Sequence, residues 1–504
     1  MNEALVFFAF LKYSLGYKGN MSRVIAGMNW QELYSFASKQ ALLGLCFEGI
    51  ERLGKEYPEE LKRNPIGREL LMTWMGKAQQ IRRQNMKVNA VAGKLFAMLR
   101  VDGMRCCVLK GQGNALMYPN PYSHTPGDID VWIDASRERI MEYASKKFEL
   151  GDDIRLQHLE TSLDGVPVEL HFFPCSMNNI LYHARLQKWF RRNADLQCSH
   201  IVGLPDGTGD IAIPTSSFNV VYQLTHLYHH FFDEGIGMRQ IIDYFLVVND
   251  FSKNVFLDNK SSKITPSLFT LKEGSTSHPD PLSMVFTPPS VPPFPGDRNL
   301  RGEGGNRPTR CCICPTCPSP AGGSLTHSQA LALSKRARDV TAPTRCSEPL
   351  RSKDGGPSKV SPDCAGWDRL SIEGDNSAGS ATAVTSSAST ALVVVQRELK
   401  YLGLWKFAGA VMYVLKEVLG LSEDKMIVPV DEKRGRLLLA EILDGGNFGR
   451  HFTKYAGFTH QSMGKKYFLK IWRNMHFVRY YPAEALCEPL FRTWHFFWRL
   501  KYKK

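Results

Sequence analysis

The sequence lacks any apolar run close to the roughly 18 residues that a membrane-spanning helix needs. Its N-terminal stretch, MNEALVFFAFLKYSLGYKGN, contains neither a basic leader nor a small-residue cleavage site. We therefore interpret this stretch as an amphipathic helix of the folded protein rather than as a signal peptide. Together these absences predict a soluble protein of the cytoplasm.

A disulfide framework is also missing. Of the 12 cysteines, several fall in the stretch CCICPTC, and the others stand singly or as the pair Cys106-Cys107. This pattern indicates a reducing compartment. Cys314 and Cys317 have the C-x-x-C spacing of zinc ligands, but no second ligand pair follows at a suitable distance. We favour fortuitous cysteines over a zinc site.

Positive charge is in excess. The chain has 63 Lys and Arg against 49 Asp and Glu, which gives a formal net charge of +14 and a pI near 9.1. This balance predicts an anionic partner, which could be a nucleotide phosphate, a nucleic acid or an acidic membrane surface. With 504 residues, 43% of them hydrophobic, the chain can bury a core and hold two or three domains.

The hydrophobic periodicity changes along the chain. Residues 1–98 carry apolar residues at three- and four-residue steps, which predicts an N-terminal helical region. Residues 99–214 contain the short apolar runs RCCVL, DIDVWID, IRLQHLETSL and VPVELHFF, separated by turn signals such as Asp164-Gly165. Helical spacing returns in 215–251 and 397–504. We therefore predict an α/β (α+β) fold with a mixed-sheet core between N- and C-terminal helical regions.

Residues 252–396 differ in composition from both flanking helical parts. They are rich in Pro, Gly, Ser and Thr and show no sustained period, as in VFTPPSVPPFPGDRNLRGEGGNRPTR. Such a segment cannot bury enough apolar surface to offset its ordering entropy, so it predicts a disordered insertion. Without it, IIDYFLVVND would run directly into QRELKYLGLWKFAGAVMYVL and make one continuous helical region.

A pair of acids lies inside an apolar run in VLKGQGNALMYPNPYSHTPGDIDVWID. On a strand, Asp128 and Asp130 would share one face, while Ile129, Val131 and Ile133 would face the core. Two neighbouring carboxylates repel each other, and a divalent cation would compensate; oxygen ligands favour Mg²⁺ or Mn²⁺. A solvated D-x-D at a strand end is the alternative explanation.

Two further features favour the metal site. Lys110-Gly111 begins a turn after a strand, and the turn leads through Gly113 into a short helix, so free backbone N–H groups could bind phosphate there. A third carboxylate, Glu169, lies on another strand in VPVELHFF. Three carboxylates beside a phosphate-binding turn are the parts that two-metal phosphoryl transfer requires.

This arrangement resembles the nucleotidyltransferase superfamily of the DNA polymerase β type. The form LKG…YPNP…TPGDIDVWID, followed by VELHFF and HLYHHFFDEGIGMRQIIDYF, is similar to the bacterial uncharacterised nucleotidyltransferase family, with the unrelated insertion interrupting it. The similarity covers about residues 20–250 and 397–504. It implies that Asp128 and Asp130 bind metal, with Glu169 as the third carboxylate of the metal site, and that Lys110 and Gly111 contact the nucleotide phosphates.

The sequence departs from this family at two positions. Gln112 stands where a second small residue is usual after the first Gly of the turn, and His124 stands where an Arg is expected. Both departures concern triphosphate binding rather than the metal site.

Other residues near these motifs allow two interpretations each. His226, His229 and His230 either line the cleft or core from a helix packed on the sheet, which we favour, or form a metal site. Arg239, at the start of the next helix, either reaches a phosphate or pairs with a nearby Asp. His171 would share the strand face of Glu169, as a partner of the site or as a structural histidine.

The C-terminal segment YYPAEALCEPLFRTWHFFWRLKYKK mixes aromatic and basic residues. Such a mixture could stack on nucleic-acid bases or lie on an anionic membrane surface as a peripheral contact. We favour a capping helix whose aromatic side chains enter the core, with membrane contact second.

The combined prediction is a Mg²⁺-dependent (or Mn²⁺-dependent) nucleotidyltransferase. It would transfer a nucleoside monophosphate from an NTP to a hydroxyl of a small molecule or a protein, in preference to a nucleic acid. The absence of G-x-x-x-x-G-K-[ST] argues against a Walker-type kinase, and the absence of H-E-x-x-H argues against a zinc protease helix. The alternative is a catalytically inactive nucleotidyltransferase fold that only binds nucleotide.

Overall fold

The computed structural model describes residues 3–150, 155–261, 386–452 and 463–502, which form one compact unit. In the first of these ranges, helices precede any strand, as the apolar spacing predicts. They are α1 (Glu3–Ser14), α2 (Ser22–Ala26), α3 (Trp30–Lys39), α4 (Leu43–Glu56), α5 (Pro58–Arg63) and α6 (Arg68–Val101). The helix expected at the N-terminus is α1, but most of its side chains are buried, so it is apolar on most sides rather than amphipathic. Helix α6 ends just beyond the predicted boundary at residue 98.

Four strands form the central sheet. They are β1 (Cys106–Leu109), β2 (Ile129–Ile133), β3 (His158–Leu163) and β4 (Val166–His171), in the order β1-β2-β4-β3. β2 is antiparallel to β1 and parallel to β4, and β3 is antiparallel to β4. Two short helices flank β2, α7 (Gly111–Ala115) before it and α8 (Arg137–Lys147) after it. The predicted mixed-sheet α/β fold is confirmed.

The two faces of β2 have different surroundings. Ile129, Val131 and Ile133 pack in one core cluster that also contains the inner side of α6. Trp132 belongs to a second cluster on the opposite face, the face that Asp130 shares with it. The alternation predicted from the sequence is therefore confirmed, and Asp128 lies immediately before the strand.

The hairpin between β3 and β4 turns at Asp164-Gly165. Both residues have positive φ, 50° and 70°. A two-residue turn with two left-handed residues matches the twist of paired strands, and Asp-Gly favours it. This turn fixes the register of the hairpin, because Leu163 pairs with Val166 and every earlier residue of β3 is then assigned a partner on β4.

A second helical layer follows the sheet. It contains α9 (Ile180–Ser199), a short hairpin of β5 (Ile201–Gly203) and β6 (Asp210–Ala212), α10 (Ser216–Asp233) and α11 (Met238–Ser261). The hairpin lies inside 99–214 but was not among the strand runs found in the sequence. Helix α10 is buried on several faces, as a helix between a sheet and a helical bundle should be.

The C-terminal region is again helical. Its described elements are α12 (Ser386–Tyr401), α13 (Trp405–Leu419), α14 (Glu432–Gly445), α15 (Met463–Met475), α16 (Pro482–Ala485) and α17 (Glu488–Tyr502). Tyr244 and Phe251 of α11 share one hydrophobic core with Leu399 of α12 and Phe407 of α13. The helices on the two sides of 252–396 are thus packed together.

The predicted insertion begins and ends inside helices. Helix α11 continues to Ser261 and α12 begins at Ser386, so both ends of 252–396 are helical rather than disordered. The remainder, residues 262–385 with the stretch CCICPTC, lies outside the described residues. For that part, the insertion stays a prediction.

The preferred interpretation of the C-terminal segment is wrong for its outer aromatic side chains. In α17, Phe491, His495 and Trp498 form a stacked inner row, but Trp494 and Phe497 are 50% and 63% exposed. Aromatic residues occupy more than one face of this helix, so a single packed face cannot bury them all. Contact of this helix with a membrane surface stays a prediction.

Two predictions from the sequence, on membrane-spanning helices and on disulfides, can be compared with the described part of the chain. There, no helix has the length and apolar content to cross a membrane. The described cysteines all have free thiols: Cys46, Cys106, Cys107, Cys175, Cys198 and Cys487. Free thiols agree with the predicted absence of a disulfide framework.

Candidate active site

The predicted carboxylates meet on one face of the sheet. Asp130 of β2 lies directly opposite Glu169 of β4 in the parallel register. On its other side Asp130 is paired with Leu109, the last residue of β1, so Lys110 follows at the same edge. Asp128, Asp130, Glu169 and Lys110 are therefore brought together, as the sequence predicts.

Lys110 has an unusual backbone. Its φ is 53°, a left-handed value that costs a residue with a side chain roughly 1–3 kcal/mol, and Gly111 follows with φ of 43°. This turn brings Nζ of Lys110 to 3.0 Å from Oδ1 of Asp130 and 3.2 Å from Nε2 of His226 on α10. Strain of this kind persists where the surrounding structure holds a side chain in one place, which is typical of functional sites.

His171 connects the two facing carboxylates. Its Nε2 lies 2.9 Å from Oδ1 of Asp130 and 3.2 Å from Oε2 of Glu169, and the residue is only 2% exposed. Its Nδ1 lies 3.3 Å from the amide nitrogen of Gln157. Of the two interpretations offered for His171, the partner of the site is the one that these contacts support.

His158 is a residue that the sequence analysis did not find. It lies opposite His171 in the β3–β4 hairpin, and its Nδ1 is 3.2 Å from Oε2 of Glu169. Within the described chain, neither ring nitrogen of His158 makes a hydrogen bond, although the side chain is buried. The sequence did contain a signal for His158, the Asp164-Gly165 turn. A two-residue turn there pairs Leu163 with Val166, and the same register pairs His158 with His171.

The two aspartates have opposite pKa shifts. Repulsion from Asp130, reinforced by Glu169, raises the pKa of Asp128 to about 6. Burial also acts to raise the pKa of Asp130, but Lys110 and the hydrogen bond from His171 outweigh it and lower that pKa below its usual range. One carboxylate is thus neutralised by neighbours, while the other lacks sufficient positive charge nearby.

The histidines and Glu169 are shifted by the same contacts. Burial disfavours charge on His171, yet hydrogen bonds to Asp130 and Glu169 raise its pKa to about 9. Burial likewise acts against ionised Glu169, but the hydrogen bond from His171 lowers its pKa. Burial lowers the pKa of His158 to about 4, so this imidazole is neutral at pH 7.

The donor set fits a divalent cation. Asp128, Asp130 and Glu169 supply carboxylate oxygens, the ligands that Mg²⁺ and Mn²⁺ prefer. The raised pKa of Asp128 marks a surplus of negative charge that a bound cation would remove.

The turn residues after Lys110 differ in their surroundings. Gly111 is at the start of α7, next to the backbone of Asp128. Gly113 packs against Ile213, the residue that follows β6, and a Cβ would lie 3.0 Å from its Cγ2. Gln112 is buried and donates a hydrogen bond to Oδ1 of Asn89 on α6. Close packing therefore accounts for Gly113, and Gln112 points into the core.

Arg239 and His124 have partners elsewhere. Nη1 of Arg239 donates to the carbonyl of Thr125 at 2.9 Å, and its guanidinium lies over the ring of Phe448. His124 is buried 3.4 Å from Asp243. Among the described contacts, none joins Arg239 to the carboxylate cluster. Its predicted phosphate contact is therefore untested.

Among the described contacts, His226 is the α10 histidine that reaches the cluster. It is buried, it contacts Lys110, and its ring centroid is 4.3 Å from that of His230. Burial lowers the pKa of His226 and His229, and lowers the pKa of His230 to about 3. Neutral histidines on a helix beside Lys110 agree with the favoured interpretation, a helix packed on the sheet.

The part of the chain that builds this cluster matches a known family model. Residues 26–265 match the family described as "Uncharacterised nucleotidyltransferase", which is the family that the motifs resemble. No curated protein and no solved structure matches the chain. The matched range includes every residue of the cluster, so the match supports a nucleotidyltransferase domain at the coarse level.

Proposed function

We propose that the protein transfers a nucleoside monophosphate from an NTP to a hydroxyl acceptor and releases pyrophosphate. The observation that carries this proposal is the register of Asp130 opposite Glu169, with Asp128 and Lys110 at the same edge of the sheet. The family match over residues 26–265 supports transfer of a nucleotidyl group but does not specify the acceptor.

In this proposal, Asp128, Asp130 and Glu169 hold Mg²⁺ or Mn²⁺. When bound, the ion would neutralise charge on the reacting phosphates. Binding would also offset the repulsion that raises the pKa of Asp128 to about 6. Asp130 would then exchange part of its contact with Lys110 for the ion, which frees the Lys110 ammonium for an anionic substrate.

Lys110 and the turn at Gly111 orient the triphosphate. The Lys110 ammonium lies between Asp130 and neutral His226, so a small movement brings it to a phosphate oxygen. Gly111 carries no side chain where the turn faces the backbone of Asp128, which leaves room for a phosphate to approach. The proposal also assigns Gly113 and Arg239 to phosphate binding, for which Arg239 would have to leave the carbonyl of Thr125.

The acceptor reaction involves Glu169. The acceptor hydroxyl oxygen forms a bond to the α-phosphorus, the bond from that phosphorus to the bridging oxygen of the β-phosphate breaks, and pyrophosphate leaves. The hydroxyl proton passes to Oε1 of Glu169, since the contacts with His158 and His171 both use Oε2. We favour a small molecule or a protein as the acceptor.

Label transfer tests this proposal. The full chain is incubated with Mg²⁺ or Mn²⁺ and each α-labelled NTP, with and without cell lysate, and label on acceptors and free pyrophosphate are both measured. We expect metal-dependent transfer that falls by at least about 10²-fold in Asp128→Asn and in Asp130→Asn.

Asp164→Asn is the matched control. Asp164 lies in the β3–β4 turn with φ of 50°, a conformation that Asn adopts readily, and its carboxylate pairs with Lys94 away from the cluster. Activity equal to wild type is expected for it. Nucleotide binding without transfer of label under all these conditions would support the inactive binding module instead.

A further inference from the structure

One face of the β3–β4 hairpin carries a set of nitrogen and oxygen ligands. His158 and His171 are directly opposite each other, and Glu169 precedes His171 by two residues on the same strand. Directly paired and alternate residues point to the same side of a sheet. The three side chains therefore converge for reasons of register, not through chance rotamers.

The distances within this set are those of a coordination shell. Nδ1 of His158 and Nε2 of His171 each lie 3.2 Å from Oε2 of Glu169, and the ligand atoms of all three residues are within 4.8 Å of one another. Ligands bound at about 2.0–2.1 Å in a tetrahedral site are separated by about 3.3 Å. Two of the three separations between ligand atoms are 3.2 Å, close to this value.

The side chain of His158 gives a second observation, independent of these distances, that points to a bound ion. It is 8% exposed, yet both its ring nitrogens lack a hydrogen bond within the part of the chain that is described. A buried polar atom without a partner costs about 1–3 kcal/mol. Its Nδ1 lies 3.2 Å from Oε2 of Glu169 without a hydrogen bond, and an ion bound to both atoms would give this nitrogen a partner.

The acid that β3 contributes to this face already has a partner. Glu160 lies opposite Glu169 on β3, but its Oε1 is 2.7 Å from Nη2 of Arg155. Lys110 is shared between Asp130 and His226. Among the described residues, the two histidines and Glu169 remain as donors, and ligation by Nε2 of His171 would replace its 2.9 Å contact with Asp130.

Gln157 can select the nitrogen that His171 offers. Its amide lies 3.3 Å from Nδ1 of His171 and donates to the carbonyl of Pro174. Ligation through Nε2 requires the His171 proton on Nδ1. A half-turn of the Gln157 amide would present its oxygen to that proton, at the loss of the hydrogen bond to the carbonyl of Pro174. Metal-ligating histidines usually have such a partner on the second nitrogen.

We propose that His158, Glu169 and His171 bind a divalent transition-metal ion of the Zn²⁺, Mn²⁺ or Fe²⁺ class, beside the two aspartates. Two imidazoles and one carboxylate suit these ions, whereas Mg²⁺ prefers oxygen ligands alone. The inference goes beyond the proposed nucleotidyl transfer and does not depend on it, because the site is built without nucleotide or acceptor.

Binding of Co²⁺ to the full, metal-free chain tests this site. We expect visible d–d absorption that saturates at one ion per chain and persists in millimolar Mg²⁺. His158→Gln should raise the dissociation constant for that absorption by at least about 10–100-fold, the usual loss on removing even an indirect ligand contact. His200→Gln, the same change at an exposed histidine bonded to the carbonyl of Ile213, should leave it unaltered.

Two readouts keep the test specific. Thiolate ligation, for example by CCICPTC, gives intense charge-transfer bands and is scored separately from the d–d bands. Pulsed EPR of Mn²⁺ bound to the wild-type chain should show nitrogen coupling from a directly bound imidazole, so the test does not depend on a variant that folds. Absence of nitrogen coupling, equal Co²⁺ affinity of His158→Gln, or displacement by Mg²⁺ would each overturn the proposal.

These outcomes are separate from those of the label-transfer assay. Label transfer with no nitrogen-ligated ion would leave the proposed function intact and remove only the transition-metal site. A nitrogen-ligated ion without label transfer would support the transition-metal site and contradict the proposed function.

Discussion

Glu169 lies directly opposite Asp130 on adjacent parallel strands, and a single histidine nitrogen reaches both carboxylates. This relationship places an internal positive charge between buried Asp130 and partly buried Glu169. In the metal-free chain, His171 and Lys110 stabilise the ionised form of Asp130, and a bound ion could take over part of this role.

His171→Phe should destabilise the metal-free protein by about 1–3 kcal/mol, because buried Asp130 loses a hydrogen-bond partner. A divalent ion held by the carboxylates alone should restore part of that loss, so the variant should gain more thermal stability from Mg²⁺ than the wild type does. Melting curves in EDTA and in Mg²⁺ measure both effects. An equal gain in the two proteins would contradict this role for His171.

Lys110→Gln should reduce kcat/KM for NTP by about 10²-fold, because it removes a charge aimed at the triphosphate. Lys94→Gln is the control, since Lys94 pairs with Asp164 at the exposed hairpin turn. Steady-state kinetics at saturating metal compare the two. Similar small losses in both variants would exclude a phosphate contact by Lys110.

Alanine substitutions at two glycines of α6 should have opposite effects on stability. A Cβ at Gly93 would lie 2.6 Å from the backbone oxygen of Thr208, so Gly93→Ala should destabilise the fold by about 1–3 kcal/mol. Gly76 has open space around it, so Gly76→Ala should stabilise the helix by up to about 1 kcal/mol. Denaturant unfolding measures both, and the same sign in both variants would contradict the packing of α6 on the β5–β6 turn.

Glu484 should make stability depend on pH. Burial raises its pKa to about 7, although the backbone N–H groups of Asn178 and Asn179 donate to its carboxylate. Between its unfolded value, about 4.5, and about 7, the folded state therefore holds a proton that the unfolded chain has released. Stability should fall as pH rises through this window.

Glu484→Gln removes this titration, so its unfolding free energy should decline less steeply than that of the wild type between pH 5 and 7. Urea unfolding at several pH values compares the two slopes. Parallel slopes would show that Glu484 does not hold a proton in the folded state.

Local patterns in the sequence were sufficient to predict which face of the sheet carries the acidic residues. The alternation in Ile129–Ile133 and the Lys110-Gly111 turn depend on near neighbours only, and both appear as expected. His158 was also within reach, because the Asp164-Gly165 turn sets its pairing with His171. That inference needed the register of the hairpin in addition to the composition of its strands.

Other features depend on distant contacts and could not be read from local patterns. Gly113 fits a phosphate turn by sequence, but its small size is needed against Ile213, a residue far along the chain. For Arg239 the sequence left a phosphate contact or an Asp partner open, and neither indicates its hydrogen bond to the carbonyl of Thr125, in a loop that precedes β2. The exposed aromatic residues of α17 depend likewise on which helices cover that surface.

The position of the transferred label tests the central claim most directly. Full-length protein is incubated with Mn²⁺ or Mg²⁺ and an NTP labelled at either the α- or the γ-phosphate, beside Asp130→Asn and Asp164→Asn. Nucleotidyl transfer predicts α-label on the acceptor and γ-label in pyrophosphate, with both signals lost in Asp130→Asn and kept in Asp164→Asn. Label from the γ-phosphate on the acceptor, or α-label transfer that survives Asp130→Asn, would contradict the account.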